Sequence, residues 1–265
     1  MNKKVILTIC AVVIIAIIIV AAYLLYSAGD YSLYSNAFKK TFNVDSMELN
    51  TSVQASIDGS NISSTGNFKL KGMNSTPQFI NTMTIGGQTI TQFSDGEKVY
   101  TDDGTNKNKM QMGENPQPRQ EKENTGFSYD AYISEFSNLI DASKIKELNS
   151  LEPVAEKYVD KISKKDTDAG KQFDITLLPQ AVDELVSKFL SENLSSQNSP
   201  TVSVNSITYS ATVSDGYVAK IVFKLDLNVT APGETEAKKA IIDFTITPVN
   251  PGKAVSFDLP STDSF

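Results

Sequence analysis

Residues 217–229 read YVAKIVFKLDLNV, and this stretch decides the fold. A period of two residues is typical of a β-strand with one buried face and one face in water. Thirteen residues at about 3.3 Å each make a strand of about 40 Å, roughly twice the usual length. Strands of this length belong to barrels and strongly bent open sheets. The side chains predicted to share the apolar face are Tyr217, Ala219, Ile221, Phe223, Leu225, Leu227 and Val229.

The same alternation recurs through most of the chain. Met47 to Ile57 alternate strictly, and turn dipeptides such as Asp58-Gly59, Gly86-Gly87 and Asp215-Gly216 lie between successive strands because they tolerate positive φ. Each strand therefore turns directly into the next. The simplest architecture is one curved antiparallel sheet, a half-barrel, whose two β regions are halves of the same sheet. Further strands are predicted at 64–73, 78–85, 88–94, 98–101, 173–177, 207–213, 240–246 and 255–259.

Helical spacing of apolar residues appears at 31–42, 129–140 and 179–194. Pro179 suits the first turn of the last of these helices. We expect these helices to pack on the concave face of the sheet, which gives an α+β fold. The polar residues 102–126 predict an exposed loop with a brief strand near Met110, while residues 144–165 fit either a strand or a helix.

An uninterrupted apolar run, VILTICAVVIIAIIIVAAYLLY at residues 5–26, carries no charge and no proline. Its length predicts a transmembrane helix. Lys3 and Lys4 before it favour a cytoplasmic amino terminus, hence a single-pass protein of the cell membrane with its C-terminal domain extracytoplasmic. A cleaved signal peptide is the alternative, since small residues follow at 27–29. The predicted division is 1–30 as the anchor or signal segment and 31–265 as one β-rich domain.

Composition excludes several classes of chemistry. The chain has no histidine and one cysteine, Cys10, so the domain can hold no Ser-His-Asp or Cys-His nucleophile and no histidine or thiolate metal site. The net charge is −7 and Arg119 is the only arginine, which argues against nucleic acid as a partner. Paired carboxylates could still cleave glycosides, but solvated surface residues explain the acidic side chains better. We therefore expect no enzyme activity, no metal and no cofactor.

The chain contains, in this order, the segments AFKKT (37–41), VDS (44–46), DG (95–96) before VY (99–100), the Pro179 helix and AVSFDLP (254–260). With these segments, the order of elements resembles the lipoprotein-carrier fold, LolA-like and including the LppX group. It is also similar to small extracytoplasmic domains of Gram-positive bacteria. The resemblance covers most of residues 31–260. It implies that an acyl chain or lipid is held between a half-barrel and its helices. Cys10 is misplaced for lipidation, because Ile9 before it is not small, so a membrane helix would replace the family's lipid anchor.

Long apolar strand faces opposite amphipathic helices favour a non-enzymatic, membrane-tethered protein that binds a lipid or another apolar ligand. The alternative function is a structural or protein-interaction module of the cell envelope, with an envelope protein as its partner. The residues predicted to line the ligand site are Val53, Phe136, Phe189, Ile221, Phe223 and Leu225.

Overall fold

The computed structural model describes residues 30–85, 87–111, 159–178, 201–230 and 235–265. Long period-two segments with β-branched and aromatic residues form strands here, as the sequence predicts. The described elements are helix α1 (Asp30–Phe42) and strands β1 (Ser46–Ile57), β2 (Ser60–Lys71), β3 (Gln78–Ile85), β4 (Gln88–Ser94), β5 (Lys98–Asp102), β6 (Lys107–Gln111), β7 (Val159–Thr167), β8 (Gly170–Leu177), β9 (Thr201–Ser214), β10 (Tyr217–Thr230) and β11 (Lys238–Pro248).

The strands form a single 11-stranded sheet in the order β6-β5-β4-β3-β2-β1-β11-β10-β9-β8-β7. All neighbouring strands are antiparallel. Two meanders thus meet at the centre of the sheet, where β1 pairs with β11 through Val53 opposite Phe244. The prediction that the two β regions are halves of one antiparallel sheet is confirmed.

Two of the predicted turns adopt the backbone that a tight hairpin requires. Asp58 and Gly59 have φ of 50° and 78°, and Asp215 and Gly216 have φ of 53° and 77°. Two successive residues with positive φ match the right-handed twist of the flanking strands. These turns fix the register of β1 with β2 and of β9 with β10.

Helix α1 packs on one face of the sheet, which we call the inner face. Its apolar stripe, Tyr34, Ala37, Phe38 and Phe42, is buried against the strands. Residues 129–140 and 179–194, which we predicted as further helices on this face, lie outside the described residues. In the described ranges α1 is the one helix, so the predicted fold class with several helices on the sheet is corrected to a large antiparallel sheet with one short helix.

The predicted single-pass membrane topology is likewise corrected. Nowhere in the described chain does a helix combine the length and apolar character that crossing a membrane requires. The physical reason is plain for α1, whose 13 residues span about 20 Å where a bilayer core needs about 30 Å. The helix also carries Lys39 and Lys40. Residues 5–26 lie outside the described residues.

Strand β10 changes face near its start, which the sequence pattern does not reveal. Val218 pairs with Val213 and Lys220 pairs with Thr212, so Ala219 is an extra residue in the ladder. A bulge of this kind reverses which side chains point inward. Val218 is fully buried while Tyr217 is half-buried. The prediction that Tyr217 and Ala219 share the face of Ile221 is therefore wrong, while the alternation from Ile221 to Val229 is confirmed.

The last segment of the chain, residues 249–265, is not a strand, contrary to the prediction for 255–259. It crosses the other face of the sheet, which we call the outer face. Val255 N–H donates to Ser46 Oγ at 2.9 Å, and Lys71 Nζ donates to the Phe257 carbonyl at 2.9 Å. Further along, the Phe265 ring lies 5.5 Å and 5.4 Å from the ring centroids of Phe93 and Tyr100. The tail thus covers an aromatic pair on β4 and β5.

Candidate functional site

The inner face is a nearly continuous apolar surface built from side chains of neighbouring strands in register. One row runs from Val53 through Phe244 and Phe223 to Tyr209 and Ile175. Side chains directly opposite each other on antiparallel strands lie within contact distance. Each row therefore joins residues that are far apart in sequence, and the rows together make the main core.

The structure places four of the six predicted ligand residues on this face. Val53, Ile221, Phe223 and Leu225 are 6%, 2%, 2% and 7% exposed. They are close together, because Val53 and Phe223 both pair with Phe244 on β11. The other two predicted residues, Phe136 and Phe189, lie outside the described residues. The four that are placed belong to the packed core, and their role in binding stays a prediction.

The half of the inner face on β8 to β10 is closed by α1. The hydroxyls of Tyr34 and Tyr209 lie 2.6 Å apart, and the Tyr34 ring also contacts Phe38 and Phe173 at centroid distances of 5.9 Å and 6.0 Å. Burial raises the pKa of Tyr209 above its ordinary value, although the hydrogen bond with Tyr34 opposes the shift. The Tyr209 phenol therefore stays neutral at physiological pH, and this half is a packed aromatic core.

A buried threonine fastens α1 to the start of β10. Thr41 Oγ1 donates to the Ala37 carbonyl at 2.7 Å and accepts the backbone N–H of Val218 at 2.8 Å. That N–H stands at the bulge, where the ladder is interrupted. The contact fixes the helix at this end of the inner face.

The half of the inner face on β1 to β3 is less completely covered. Leu49, Phe68, Met83 and Ile85 all point inward and are half-buried. Gly66 lies among them without a side chain, and a Cβ there would lie 2.7 Å from Thr51 Oγ1. The φ of Gly66 is one that other residues can adopt, so a glycine here indicates that a neighbouring group comes close to its Cα. This half of the inner face is therefore a half-buried apolar surface that lacks a side chain at Gly66, and it lies beside the packed half.

Polar side chains lie in one row beside this surface, and sequence reasoning missed them. Asn81 on β3 pairs with Gln92 on β4, and Gln92 pairs with Thr101 on β5. Asn81 is half-buried, whereas Gln92 and Thr101 are 2% and 3% exposed. The alternation in β3 and β4 could have assigned their face, but only the register shows that they are adjacent.

Charged side chains in this part of the sheet occupy the outer face. Lys69 Nζ lies 3.6 Å from Glu48 Oε1, and Lys107 Nζ lies 3.5 Å from Asp102 Oδ2. On the other half of the same face, Lys239 lies 2.9 Å from Asp226, and hydrogen bonds from Asn205 and Lys239 lower the pKa of that carboxyl. Such exposed pairs contribute little stability. On β1 to β6 they place the charge on the outer face and leave the inner face of these strands uncharged.

Besides Asp226 on β10, the described carboxylates with a lowered pKa are Asp95 and Asp103, which lie in the turns after β4 and β5. Burial raises the pKa of Asp95, but the N–H groups of Lys98 and Glu97 and the Tyr100 hydroxyl donate to it, and the net pKa is lowered. A carboxylate with a lowered pKa is ionised at neutral pH and is a poor general acid. Among the described residues no group of three acidic, histidine or cysteine side chains is arranged to hold a metal ion. The arrangement is suited to apolar contact rather than proton transfer.

No protein-family model matches the chain, and no curated protein matches it. Among solved structures, the chain is similar to a LolA superfamily protein from Nitrosomonas europaea, with 10% identity and a TM-score of 0.25 over 90% of this chain and 100% of that one. It is also similar to a DUF1329 family protein from Desulfovibrio piger, with 8% identity and a TM-score of 0.24 over 76% of this chain and 83% of that one. Likenesses at such TM-scores carry no argument about function. The LolA-like resemblance and the Gram-positive origin therefore stay predictions.

Proposed function

We propose that this chain is a non-enzymatic protein that binds a lipid or another apolar molecule on the inner face of its sheet. The half-buried apolar surface on β1 to β3 is the observation that carries the proposal. Leu49, Phe68, Met83 and Ile85 expose part of their apolar surface, while the neighbouring residues Phe223 and Phe244 are fully packed. Each square ångström of such surface removed from water contributes about 25 cal/mol to binding. Apolar concave sites with few polar groups are typical of ligand pockets.

The proposal includes residues 31–265 as one domain. The pairing of β1 with β11 supports this division, since it joins the first and last strands at the centre of one sheet. Neither meander could bury its inner face without the other. A boundary within the sheet would expose the row through Val53, Phe244 and Phe223.

Binding is tested by titrating the purified full chain with Nile red, a neutral apolar dye. Met83→Arg places a charge on the inner surface and should abolish the dye's fluorescence increase, because burying an unpaired charge beside the ligand is costly. Thr82→Arg is the matched control. It changes the adjacent residue, which faces outward, and should bind the dye as the unmodified chain does.

Native mass spectrometry of the chain purified from its own host provides an independent measurement. A co-purified species of lipid mass, lost in Met83→Arg and kept in Thr82→Arg, supports the proposal. If the unmodified chain neither carries such a species nor binds Nile red, the proposed function is wrong. A protein-interaction module would then be the better description.

A further inference from the structure

Strands β1 to β6 carry all of their charged side chains on one face. The registers of β1 with β2, and of β2 through β6, assign each of these residues to the outer face. The inner positions of the same strands hold apolar residues, glycine, serine, threonine, asparagine and glutamine. The charged residues of these six strands are Glu48, Lys69, Lys71, Lys98, Asp102, Lys107 and Lys109.

The other half of the sheet is different at its margin. Lys164 on β7 and Lys171 on β8 occupy inner positions, where Lys164 pairs with Phe173 and Lys171 pairs with Val213. Both are exposed. Strands β11, β10 and β9 separate these two lysines from the half-buried surface on β1 to β3.

The polar row of Asn81, Gln92 and Thr101 borders the half-buried surface directly. Asn81 comes two residues before Met83 on β3, and Gln92 comes two residues after Ile90 on β4. The antiparallel register therefore places Asn81 opposite Gln92, one inner position from the pair of Met83 and Ile90. Asn81 is reachable from the apolar surface since it is half-buried, and Gln92 and Thr101 continue the row into the buried region. Amide and hydroxyl groups donate and accept hydrogen bonds without carrying charge.

We infer that the ligand carries an uncharged polar group, of the ester, hydroxyl or amide kind, beside its apolar part. This inference rests on the proposed function and specifies the class of its ligand. The apolar part lies on Leu49, Phe68, Met83 and Ile85, and the polar group hydrogen-bonds to the row that begins at Asn81. A buried anion or cation needs a partner of opposite charge. The inner face of β1 to β6 offers none among its described residues.

The test compares two lipids with the same acyl chains and different headgroups. Dioctanoylglycerol is neutral and dioctanoylphosphatidylglycerol is anionic, and each is used to displace Nile red from the full chain. We expect dioctanoylglycerol to compete at least about tenfold more strongly. A tenfold difference in affinity corresponds to about 1.4 kcal/mol, which is about the contribution of one good hydrogen bond and no more than the cost of desolvating one charged headgroup. Equal competition, or stronger competition by the anionic lipid, overturns the inference.

Variants locate the polar contact. Asn81→Leu should weaken dioctanoylglycerol about tenfold and leave the affinity for Nile red unchanged, and Gln92→Leu should act in the same direction. The matched control is Gln54→Leu, which makes the same change on the exposed outer face of β1. If Asn81→Leu and Gln92→Leu both leave the dioctanoylglycerol affinity unchanged, the polar row is not the contact and the inference is overturned.

The two proposals fail in different ways. If the unmodified chain neither binds Nile red nor carries a co-purified species of lipid mass, the proposed function fails and the inference falls with it. If Nile red binds and the two lipids compete equally, apolar binding stands and only the inference about the headgroup fails.

Discussion

The hydroxyl of Tyr34 in α1 lies 2.6 Å from the hydroxyl of Tyr209 in β9, and their rings meet edge to face at a centroid distance of 6.2 Å. The two residues are 175 positions apart in sequence. This contact joins the helix at the start of the described chain to the second meander. It is buried on all sides, so it reports directly on the packing of α1 against the sheet.

A double-mutant cycle on this pair should detect a coupling of about 0.5–1.5 kcal/mol, the usual contribution of a buried neutral hydrogen bond. Tyr34→Phe, Tyr209→Phe and the double variant keep the rings and remove only hydroxyls. The free energy of unfolding in urea is the measurement. Additive effects of the two single changes would show that the hydroxyls do not interact in solution.

Tyr209 makes the free energy of unfolding depend on pH in the alkaline range. Burial raises the pKa of Tyr209, so the folded chain keeps this proton above about pH 10, where the unfolded chain loses it. The stability contribution is therefore complete below about pH 10. It falls as pH rises further, by up to about 1.4 kcal/mol per pH unit for this one proton.

Unfolding curves recorded between pH 9 and pH 11, values chosen to bracket the ordinary tyrosine pKa of about 10, test this dependence. Tyr209→Phe should show a flatter decline than the unmodified chain. If the free energy of unfolding falls equally steeply with pH in the two proteins, ionisation of Tyr209 does not contribute to this dependence, and the prediction is wrong.

Thr41 should be sensitive to loss of its hydroxyl. Thr41→Val keeps the shape but leaves the Val218 N–H at the bulge without its acceptor, which costs about 1–3 kcal/mol for a buried donor. Thr41→Ser retains the oxygen and should lose less stability. The free energy of unfolding in urea compares the two variants. A loss in Thr41→Ser as large as or larger than the loss in Thr41→Val would contradict the expectation that the hydrogen bond matters more than the methyl group.

Gly170 opens β8 and has no room for a side chain. Its φ is 125°, and a Cβ there would overlap the Val213 carbonyl oxygen. Gly59 is a suitable control, because its φ of 78° is also positive but nothing lies within 4 Å of its Cβ position. Gly59→Ala should cost about 1 kcal/mol for the backbone alone, and Gly170→Ala should cost clearly more because the backbone of β9 must move. Equal midpoints in thermal unfolding would contradict this close approach.

Much of the sheet follows from local pattern. The period-two segments predicted at 78–85, 88–94 and 217–229 coincide with β3, β4 and β10 within a residue. The apolar residues from Ile221 to Val229 face inward as predicted. This agreement has a simple cause: when one face of a strand is buried, a slip of one residue would turn every apolar side chain to water.

Other features depend on contacts that no short window contains. The bulge at Ala219 lies beside a contact from far away in the sequence, because Thr41 in α1 accepts the N–H of Val218. Residues 255–259 alternate like a strand, yet they lie on the outer face, where Ser46 and Lys71 bond to their backbone. The predicted transmembrane architecture is not found in the described chain, where no helix has the length and apolar character needed to cross a membrane, and the apolar run at 5–26 lies outside the described residues.

The candidate site divides in the same way. Val53, Ile221, Phe223 and Leu225 were identified from alternation, and the structure brings them together on the inner face. Asn81, Gln92 and Thr101 were not identified, because each is an ordinary polar residue in its own strand. Their adjacency appears only when β3, β4 and β5 are placed in register.

The sequence by itself determined most of the strands, the turns at Asp58-Gly59 and Asp215-Gly216, and which side chains are inward along most of each predicted strand. Those properties depend on near neighbours, through the alternation of Cβ directions and the φ preferences of turn residues. The tertiary structure alone decided that β1 pairs with β11, that α1 covers only one half of the inner face, and that uncharged polar residues border the other half. Those properties depend on pairing between distant segments, whose free energy is set by the whole sheet.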